Sequence, residues 1–135
     1  MTAATELVFD ASAVFRGLTT QGHAAELLQR LEREEMVGHA PDVIVAEMAN
    51  AVAVAARVEQ RSLAEAEGVF SAFASSPLVL HPMKPMAGAA IDVAIRTGLS
   101  AYDAFYAVLS ATLDVPLVTA DRKLAAAVPS AVLVA

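Results

Sequence analysis

Four acidic residues stand where a carboxylate could take part in a reaction: Asp10, Glu47, Asp103 and Asp121. Glu47 interrupts a run from Val43 to Ala56 in which every other residue except Asn50 is apolar. A charge in such surroundings is costly unless it is paired, neutralised or bound to a metal. Carboxylate oxygens without soft ligands suit Mg²⁺ or Mn²⁺, which can activate water and stabilise charge at a phosphate.

Each of these acids also has an ordinary structural explanation. Asp10 could form an Asx turn, and Asp121 could cap a helix. Asp103 lies three residues after Ser100, which is the spacing of a helix cap. Glu47 could simply face solvent from an alanine-rich helix. Taken one at a time, the acids therefore do not require a catalytic site.

Their joint placement is harder to explain in this way. In open α/β sheets, sites form beyond the C-terminal ends of the strands, where the strand order reverses. If the first strand is central and the fourth lies beside it, Asp10 and Asp121 meet at that point. Asp103 and Glu47 would then enter from neighbouring helices. Four carboxylates in one pocket repel one another, and a divalent cation relieves this repulsion.

The elements that must position these acids follow from the apolar pattern. The predicted strands cover residues 6–10, 36–40, 78–80, 116–119 and 131–134. The predicted helices begin near Ser12 and otherwise cover residues 23–35, 42–60, 62–74, 86–97, 101–113 and 121–128. Apolar strands that alternate with helices indicate an α/β fold, in which a parallel sheet of about five short strands is sandwiched by helices.

Several helix ends carry recognisable signals. Asp42 suits the N-terminus of the long third helix, and Ser62 with Glu65 has the spacing of a capping box. Gly98 can end its helix in a left-handed conformation. The long helix is apolar nearly all round, so we expect it to be buried.

Composition limits the class of protein. The chain has 135 residues and no cysteine, which indicates one domain over residues 1–135 and excludes disulfide scaffolds and thiol nucleophiles. Fifteen acidic and nine basic residues give a net charge of −6, the wrong sign for binding nucleic acid through a basic surface. No membrane-length apolar run and no signal peptide are visible. We expect a cytoplasmic protein without a membrane partner.

Four short blocks resemble those of PIN-domain ribonucleases, and most closely the VapC toxins of bacterial toxin–antitoxin pairs. In chain order the blocks are Val8-Phe-Asp-Ala-Ser12, Ala46-Glu-Met-Ala-Asn50, Ala101-Tyr-Asp-Ala-Phe-Tyr106 and Leu117-Val-Thr-Ala-Asp-Arg122. The resemblance covers essentially the whole chain. It implies a PIN-like α/β/α fold, and the four acids match the family's metal-binding tetrad. It also implies Mg²⁺- or Mn²⁺-dependent RNA cleavage, a homodimer and inhibition by a small VapB-type antitoxin.

The same resemblance suggests supporting residues. Ser12 and Thr119 match hydroxyl residues that border the site in the family, and Asn50 matches an asparagine with a supporting role. Three basic residues lie close in sequence to the acidic blocks and could contact phosphate, although solvation at the surface explains them equally well. These are Arg16, Arg122 and Lys123.

Other polar and aromatic residues are given no catalytic role. The three histidines are scattered along the chain, and we assign none of them to a metal: His23, His39 and His81. Three aromatic residues in the third block are interpreted as core and interface residues rather than base-stacking ones: Tyr102, Phe105 and Tyr106.

Two other functional classes compete with a nuclease as explanations of the acids. A phosphoacceptor signalling domain shares the size and the acidic Mg²⁺ pocket, but it needs an aspartate at the end of a middle strand. Here the second and third strands run into Ala40-Pro41 and His81-Pro82 instead. A catalytically silent PIN-like module that binds RNA or protein remains the alternative, and the intact set of acids argues against it.

Overall fold

The computed structural model describes residues 5–134. The strands in this range are β1 (Thr5–Phe9), β2 (Met36–Pro41), β3 (Val79–His81), β4 (Leu117–Thr119) and β5 (Val132–Leu133). The α-helices are α1 (Ala11–Thr19), α2 (His23–Glu32), α3 (Ile44–Glu59), α4 (Leu63–Ser75), α5 (Ala87–Thr97), α6 (Ala101–Leu113) and α7 (Arg122–Ala127), and a 3-10 turn covers Lys84–Met86.

The strands form one parallel sheet in the order β3-β2-β1-β4-β5. Central Val8 of β1 aligns with His39 of β2 on one side and with Leu117 of β4 on the other. The strand order reverses between β1 and β4, so the crevice beyond their C-terminal ends is the expected position for a site. The predicted α/β/α fold with a five-stranded parallel sheet is confirmed.

Burial explains why the central strands β1 and β4 are mostly apolar. Leu7, Val8 and Phe9 of β1 are buried, and so are all three residues of β4. Helices cover the sheet, with α2 contacting β2 and α6 contacting β1, β2 and β4. Parallel strands covered on both faces carry apolar side chains in both directions, which removes the alternation seen in half-exposed sheets.

Most of the predicted helix ends are confirmed. The Ser62 hydroxyl and the Glu65 carboxylate form a reciprocal capping box at the start of α4. Gly98 ends α5 with φ at 78°, a conformation that costs glycine little. Ser100 Oγ accepts the Asp103 backbone N–H at 3.1 Å at the start of α6.

The predicted start of α3 is wrong in one respect. The helix begins at Ile44 without a side-chain cap, and Asp42 lies before it in a turn. The Asp42 carboxylate instead accepts the Met83 backbone N–H at 3.1 Å. The sequence signal for a cap was local, whereas this side chain stabilises the segment that follows β3.

The expectation that α3 is buried is also wrong. Only Ile44, Met48 and Val52 of this helix are buried, and Val54 and Val58 are exposed. These buried residues follow a spacing of four, so only one face of the helix packs against the domain. The outer face also carries alanine and valine side chains, so an apolar sequence does not by itself indicate burial here.

Three polar side chains form a hydrogen-bonded chain across adjacent strands. His39 Nε2 of β2 lies 2.7 Å from Glu6 Oε1 of β1, and His39 Nδ1 lies 2.9 Å from His81 Nε2 of β3. The sheet thus brings together two of the histidines that appear scattered in the sequence. Since one imidazole nitrogen must accept in the His39–His81 bond, the two rings cannot both be protonated and keep it.

The hydrogen-bonded series Glu6–His39–His81 predicts that the free energy of unfolding depends on pH. Burial, with the charge of His39 as a second cause, lowers the pKa of His81 below its ordinary value of 6.5. The unfolded chain therefore binds this proton more readily, so the stabilisation is complete above about pH 6.5 and is lost as the pH falls. We expect the step from pH 7.5 to pH 5.5 to cost wild type about 1 kcal/mol more than His81→Gln, as for one lost hydrogen bond.

Urea unfolding at both pH values measures this difference. His23→Gln is the matched control, because His23 is exposed at the start of α2 and its variant should retain the wild-type pH dependence. Identical pH dependence in wild type and His81→Gln would contradict the prediction.

Among residues 5–134, every helix is too short or too polar to span a lipid bilayer.

Candidate active site

Two of the four acids, Asp10 and Asp121, cap helices that begin where the strand order reverses. Asp10 follows β1 and caps α1, accepting the Ala13 backbone N–H at 2.8 Å. Asp121 follows β4 and caps α7, accepting the Lys123 and Leu124 backbone N–H groups at 2.8 and 3.3 Å. Because β1 and β4 are parallel neighbours, their C-terminal ends place both carboxylates at the same edge of the sheet. Asp10 and Asp121 therefore cap helices, and the same position also allows them to belong to an acidic site.

Two hydroxyl groups connect the Asp10 and Asp121 turns. Ser12 Oγ donates to Asp10 Oδ1 at 2.8 Å, and Thr119 Oγ1 donates to Asp10 Oδ2 at 2.6 Å. In return, Thr119 Oγ1 accepts the Asp121 backbone N–H at 2.9 Å, and Ser12 Oγ accepts the Ala120 backbone N–H at 2.9 Å. The residues predicted to support the site thus hold the Asp10 carboxylate in a fixed orientation.

Glu47 reaches the site from the first turn of α3. Its carboxylate is half-buried, and its Oε1 accepts a hydrogen bond from the Tyr106 hydroxyl at 2.5 Å. Tyr106 lies in α6 and is only 1% exposed. The core assignment of Tyr106 is confirmed, but its hydroxyl contact with Glu47 was not predicted from the sequence. The available signal was the i, i+3 spacing of Asp103 and Tyr106, combined with the need of a buried phenol for a partner.

Asp103 lies in the first turn of α6 and is half-buried. Its backbone is held by the Ser100 cap, and its carboxyl group also interacts with the Ser100 side chain. Lys123, at the start of α7, is the cation whose charge acts on it. This lysine is itself held by the Gly98 carbonyl oxygen, at 3.1 Å from Nζ.

The acids influence one another electrostatically. Burial raises the pKa of Asp10 above its ordinary value, and the charge of Asp103 adds to this, while hydrogen bonds from Thr119, Ala13 and Ser12 oppose it. Burial also raises the pKa of Asp103, as does the charge of Asp121, while Ser100 and Lys123 lower it.

The pKa of Glu47 is raised in the same way. Burial is the largest cause, the Tyr106 hydrogen bond lowers the pKa, and the charges of Asp103 and Asp10 raise it again. Burial and the neighbouring Glu47 raise the pKa of Tyr106 well above its ordinary value of 10, so the phenol stays protonated and donates. Asp10, Glu47 and Asp103 are therefore each close enough to another acid for its negative charge to raise their pKa.

The donor set fits a hard divalent cation. Among residues 5–134, no three acidic or histidine side chains lie close enough together to hold a metal ion as they stand. However, Asp10 Oδ2 accepts one hydrogen bond, and Glu47 Oε2 accepts none from the described residues, so both keep lone pairs for a cation. Oxygen donors with mutually raised pKa values are the groups that Mg²⁺ or Mn²⁺ would stabilise.

An open groove of about 1090 Å³ lies beside two of the four acids, Glu47 and Asp121. Its lining also includes Ser12, Arg16 and Asn50, but not Asp10 or Asp103. Asn50 lies one turn beyond Glu47 on the exposed side of α3, which agrees with a role at the rim rather than in the centre.

The three basic candidates occupy different positions. Arg16 is exposed in the last turn of α1 and lines the groove. Arg122 is exposed at the start of α7, and Lys123 is tied to the end of α5 through Gly98. Only Arg16 is therefore both at the groove and at the surface, which makes it the best placed of the three for a phosphate contact.

Comparison with known proteins shows the family and the fold. The sequence profile of the family described as PIN domain matches residues 7–128. Ribonuclease VapC1 of Mycobacterium tuberculosis is 33% identical over 124 residues, which is 90% of each chain. The crystal structure of PAE2754 from Pyrobaculum aerophilum superimposes with a TM-score of 0.75 at 26% identity, covering 98% of this chain and 91% of that one.

A toxin–antitoxin complex from Klebsiella pneumoniae has the same fold. Its TM-score is 0.65 at 15% identity, and the alignment covers 93% of this chain and 95% of that one. The profile match and the identity to a VapC ribonuclease both extend over most of the chain. This chain belongs to the PIN-domain family, among its VapC members.

Proposed function

We propose that this protein is a metal-dependent endoribonuclease toxin that cleaves RNA phosphodiester bonds and is neutralised by an antitoxin. The observation that carries the proposal is the position of Asp10 and Asp121 at the ends of neighbouring parallel strands, with Glu47 and Asp103 close enough that the charge of Asp10 acts on Glu47 and that of Asp121 on Asp103. The similarity to a protein named as a ribonuclease supports the reaction class.

In this proposal Asp10, Glu47, Asp103 and Asp121 hold Mg²⁺ or Mn²⁺. When bound, such an ion lowers the pKa of a water and stabilises the charge that develops on the phosphate. The protein's own contribution is orientation: Ser12 and Thr119 fix the Asp10 carboxylate, and the α1 and α7 N-termini fix its backbone and that of Asp121.

Substrate binding must overcome the overall charge of the protein. A net charge of −6 repels RNA, so the phosphate backbone needs local cations. Arg16 at the groove is the first candidate, and Arg122 and Lys123, which follow Asp121 in the chain, are the next. Asn50 beside Glu47 could hydrogen-bond the substrate or the hydration shell of the cation.

The proposed partners are an antitoxin and a second copy of the chain. The Klebsiella pneumoniae structure is a toxin–antitoxin complex of the same fold, which suggests a similar partner here. An acidic pocket suits an arginine from such a partner, because its guanidinium pairs with two carboxylate oxygens at once. Ile91 and Ile95, exposed on α5 at 56% and 78%, provide apolar surface for a homodimer.

The alternative is a PIN-like module that binds RNA or protein without cleaving it. The nuclease predicts RNA turnover that depends on a divalent cation, whereas the silent module predicts no turnover under any condition.

The decisive experiment is an assay of RNA cleavage with a fluorescent substrate. We expect cleavage in Mn²⁺ or Mg²⁺, complete loss in EDTA, and recovery when Mn²⁺ is added back in excess. Binding without cleavage at any Mn²⁺ concentration would favour the silent module. Full cleavage in EDTA would overturn the metal-dependent mechanism.

A further inference from the structure

The Tyr106 hydroxyl joins two of the helices that build the acidic site. Tyr106 belongs to α6, and its hydroxyl donates to Glu47 Oε1 of α3 at 2.5 Å. The backbone of Ala11, the residue after Asp10, is near enough to the phenolic oxygen to act on the pKa of the phenol. One hydroxyl therefore connects the helix that carries Asp103 with the helix that carries Glu47, beside the turn that carries Asp10.

Packing alone does not explain this hydroxyl. Tyr106 is 1% exposed, so a phenylalanine ring would fill the same volume without burying a polar group. A buried phenol is tolerated when it has a partner, and here the partner is a carboxylate 59 positions away in the chain. Hydrogen bonds to a charged acceptor are shorter and stronger than those between neutral groups.

The same contact determines which oxygen of the Glu47 carboxylate is free to bind a ligand. The Tyr106 hydroxyl occupies Oε1, and no described residue hydrogen-bonds to Oε2. Asp103 lies three residues before Tyr106 and so shares its face of α6. A single helix thus supplies one acid of the site and holds the carboxylate of a second.

We propose that Tyr106 is a positioning residue of the acidic site, which holds the Glu47 carboxylate in the orientation that binds the divalent cation. The inference rests on the proposed function, because the cation is what Glu47 would bind. Groups that orient a metal ligand from behind change metal affinity by about 10- to 100-fold when they are removed.

The test measures Mn²⁺ binding directly, by calorimetric titration of Mn²⁺ alone into the purified protein. Four proteins are compared with wild type: Tyr106→Phe, Glu47→Gln, the double variant, and Ser110→Ala. Ser110 is the matched control, because its buried hydroxyl lies one turn further along α6 and donates to the Val115 carbonyl, away from the acids.

We expect Tyr106→Phe to weaken Mn²⁺ binding by about tenfold. In the Glu47→Gln background the same change should have little further effect, since Tyr106 acts through that carboxylate. Ser110→Ala should bind Mn²⁺ as wild type does, although it also loses one buried hydrogen bond. In cleavage assays, Tyr106→Phe should need about tenfold more Mn²⁺ for half-maximal rate, with an unchanged KM for RNA.

The outcomes separate the two proposals. If Glu47→Gln weakens Mn²⁺ binding but Tyr106→Phe does not, Tyr106 is only a packing residue and the inference fails alone. Equal weakening by Tyr106→Phe and Ser110→Ala would show a general loss of stability and would also overturn it. If wild type and Glu47→Gln bind Mn²⁺ equally, or neither binds, the metal site itself fails, and the inference fails with it.

A spectroscopic measurement does not require Tyr106→Phe to fold. The chain has two tyrosines and no tryptophan, so Tyr102→Phe leaves Tyr106 as the single tyrosine chromophore. Mg²⁺ binding to Glu47 should shift the near-ultraviolet tyrosine absorbance of that variant, because the hydrogen bond to the phenol changes. The shift should disappear when Glu47→Gln is added. An unchanged spectrum at saturating Mg²⁺ would contradict the proposed coupling.

Discussion

Asp10→Asn should lower the rate of RNA cleavage by at least about 100-fold, a larger loss than removal of a group behind a ligand produces. The metal-free variant should nevertheless melt no lower than wild type. Burial raises the pKa of Asp10, so the charged form is less favourable in the folded protein than in the unfolded chain. Removing the charge removes that penalty.

The hydrogen bonds around Asp10 should survive the substitution. Asparagine is as good a helix cap as aspartate, so its oxygen can still accept from the Ala13 N–H and the Ser12 hydroxyl. The amide nitrogen would face Thr119 Oγ1, which can accept as well as donate. Added Mn²⁺ should raise the melting temperature of wild type more than that of the variant, because ligands stabilise only the form that binds them.

Two further variants test whether the loss of activity is specific to the Asp10 carboxylate. Asp114→Asn is the matched surface control, since Asp114 is exposed at the C-terminal end of α6 and its variant should cleave RNA at the wild-type rate. Asp10→Ala should be inactive and also less stable, by about 1 kcal/mol for a lost cap. If metal-free Asp10→Asn melts several degrees below wild type, Asp10 is mainly a structural residue.

The sequence predicts the frame of the site because the relevant signals are local. The apolar strands that end just before Asp10 and at Thr119, and the caps at Ser62 and Ser100, each depend on a few neighbouring residues. A doubly wound order then places Asp10 near Asp121 through the general rule for open sheets. These steps need no knowledge of which side chains touch across the core.

The features that the sequence does not predict depend on long-range packing. The Asp42–Met83 bond and the Tyr106–Glu47 bond join residues 41 and 59 positions apart. The Glu6–His39–His81 chain depends on β1, β2 and β3 being adjacent in a particular register. For α3, an alanine-rich pattern does not determine which face is covered, because small apolar side chains are acceptable both in a core and at a surface.

Protons should compete with the metal for the carboxylate oxygens of the proposed site. The pKa values of Asp10, Glu47 and Asp103 lie above their ordinary values of 3.8, 4.5 and 3.8, with burial as the first cause in each case. The groups must lose their protons before they bind a cation, so cleavage should fall as the pH is lowered, starting at a higher pH than for ordinary carboxyl groups. Where two of them protonate together, the rate should fall by up to about 100-fold per pH unit.

The fall in rate at low pH is the acid limb of the pH profile. Raising the Mn²⁺ concentration should move this acid limb to lower pH, because the metal and the protons compete for the same oxygens. The measurement is the pH dependence of cleavage at two Mn²⁺ concentrations, with NaCl added to equalise ionic strength. Asp92→Asn is a suitable control, since Asp92 is exposed on α5 in an ion pair with Arg96 and should not affect the limb. An acid limb that stays fixed when Mn²⁺ is varied would show that its carboxyl groups do not hold the metal, and the acids of this pocket would then need another role.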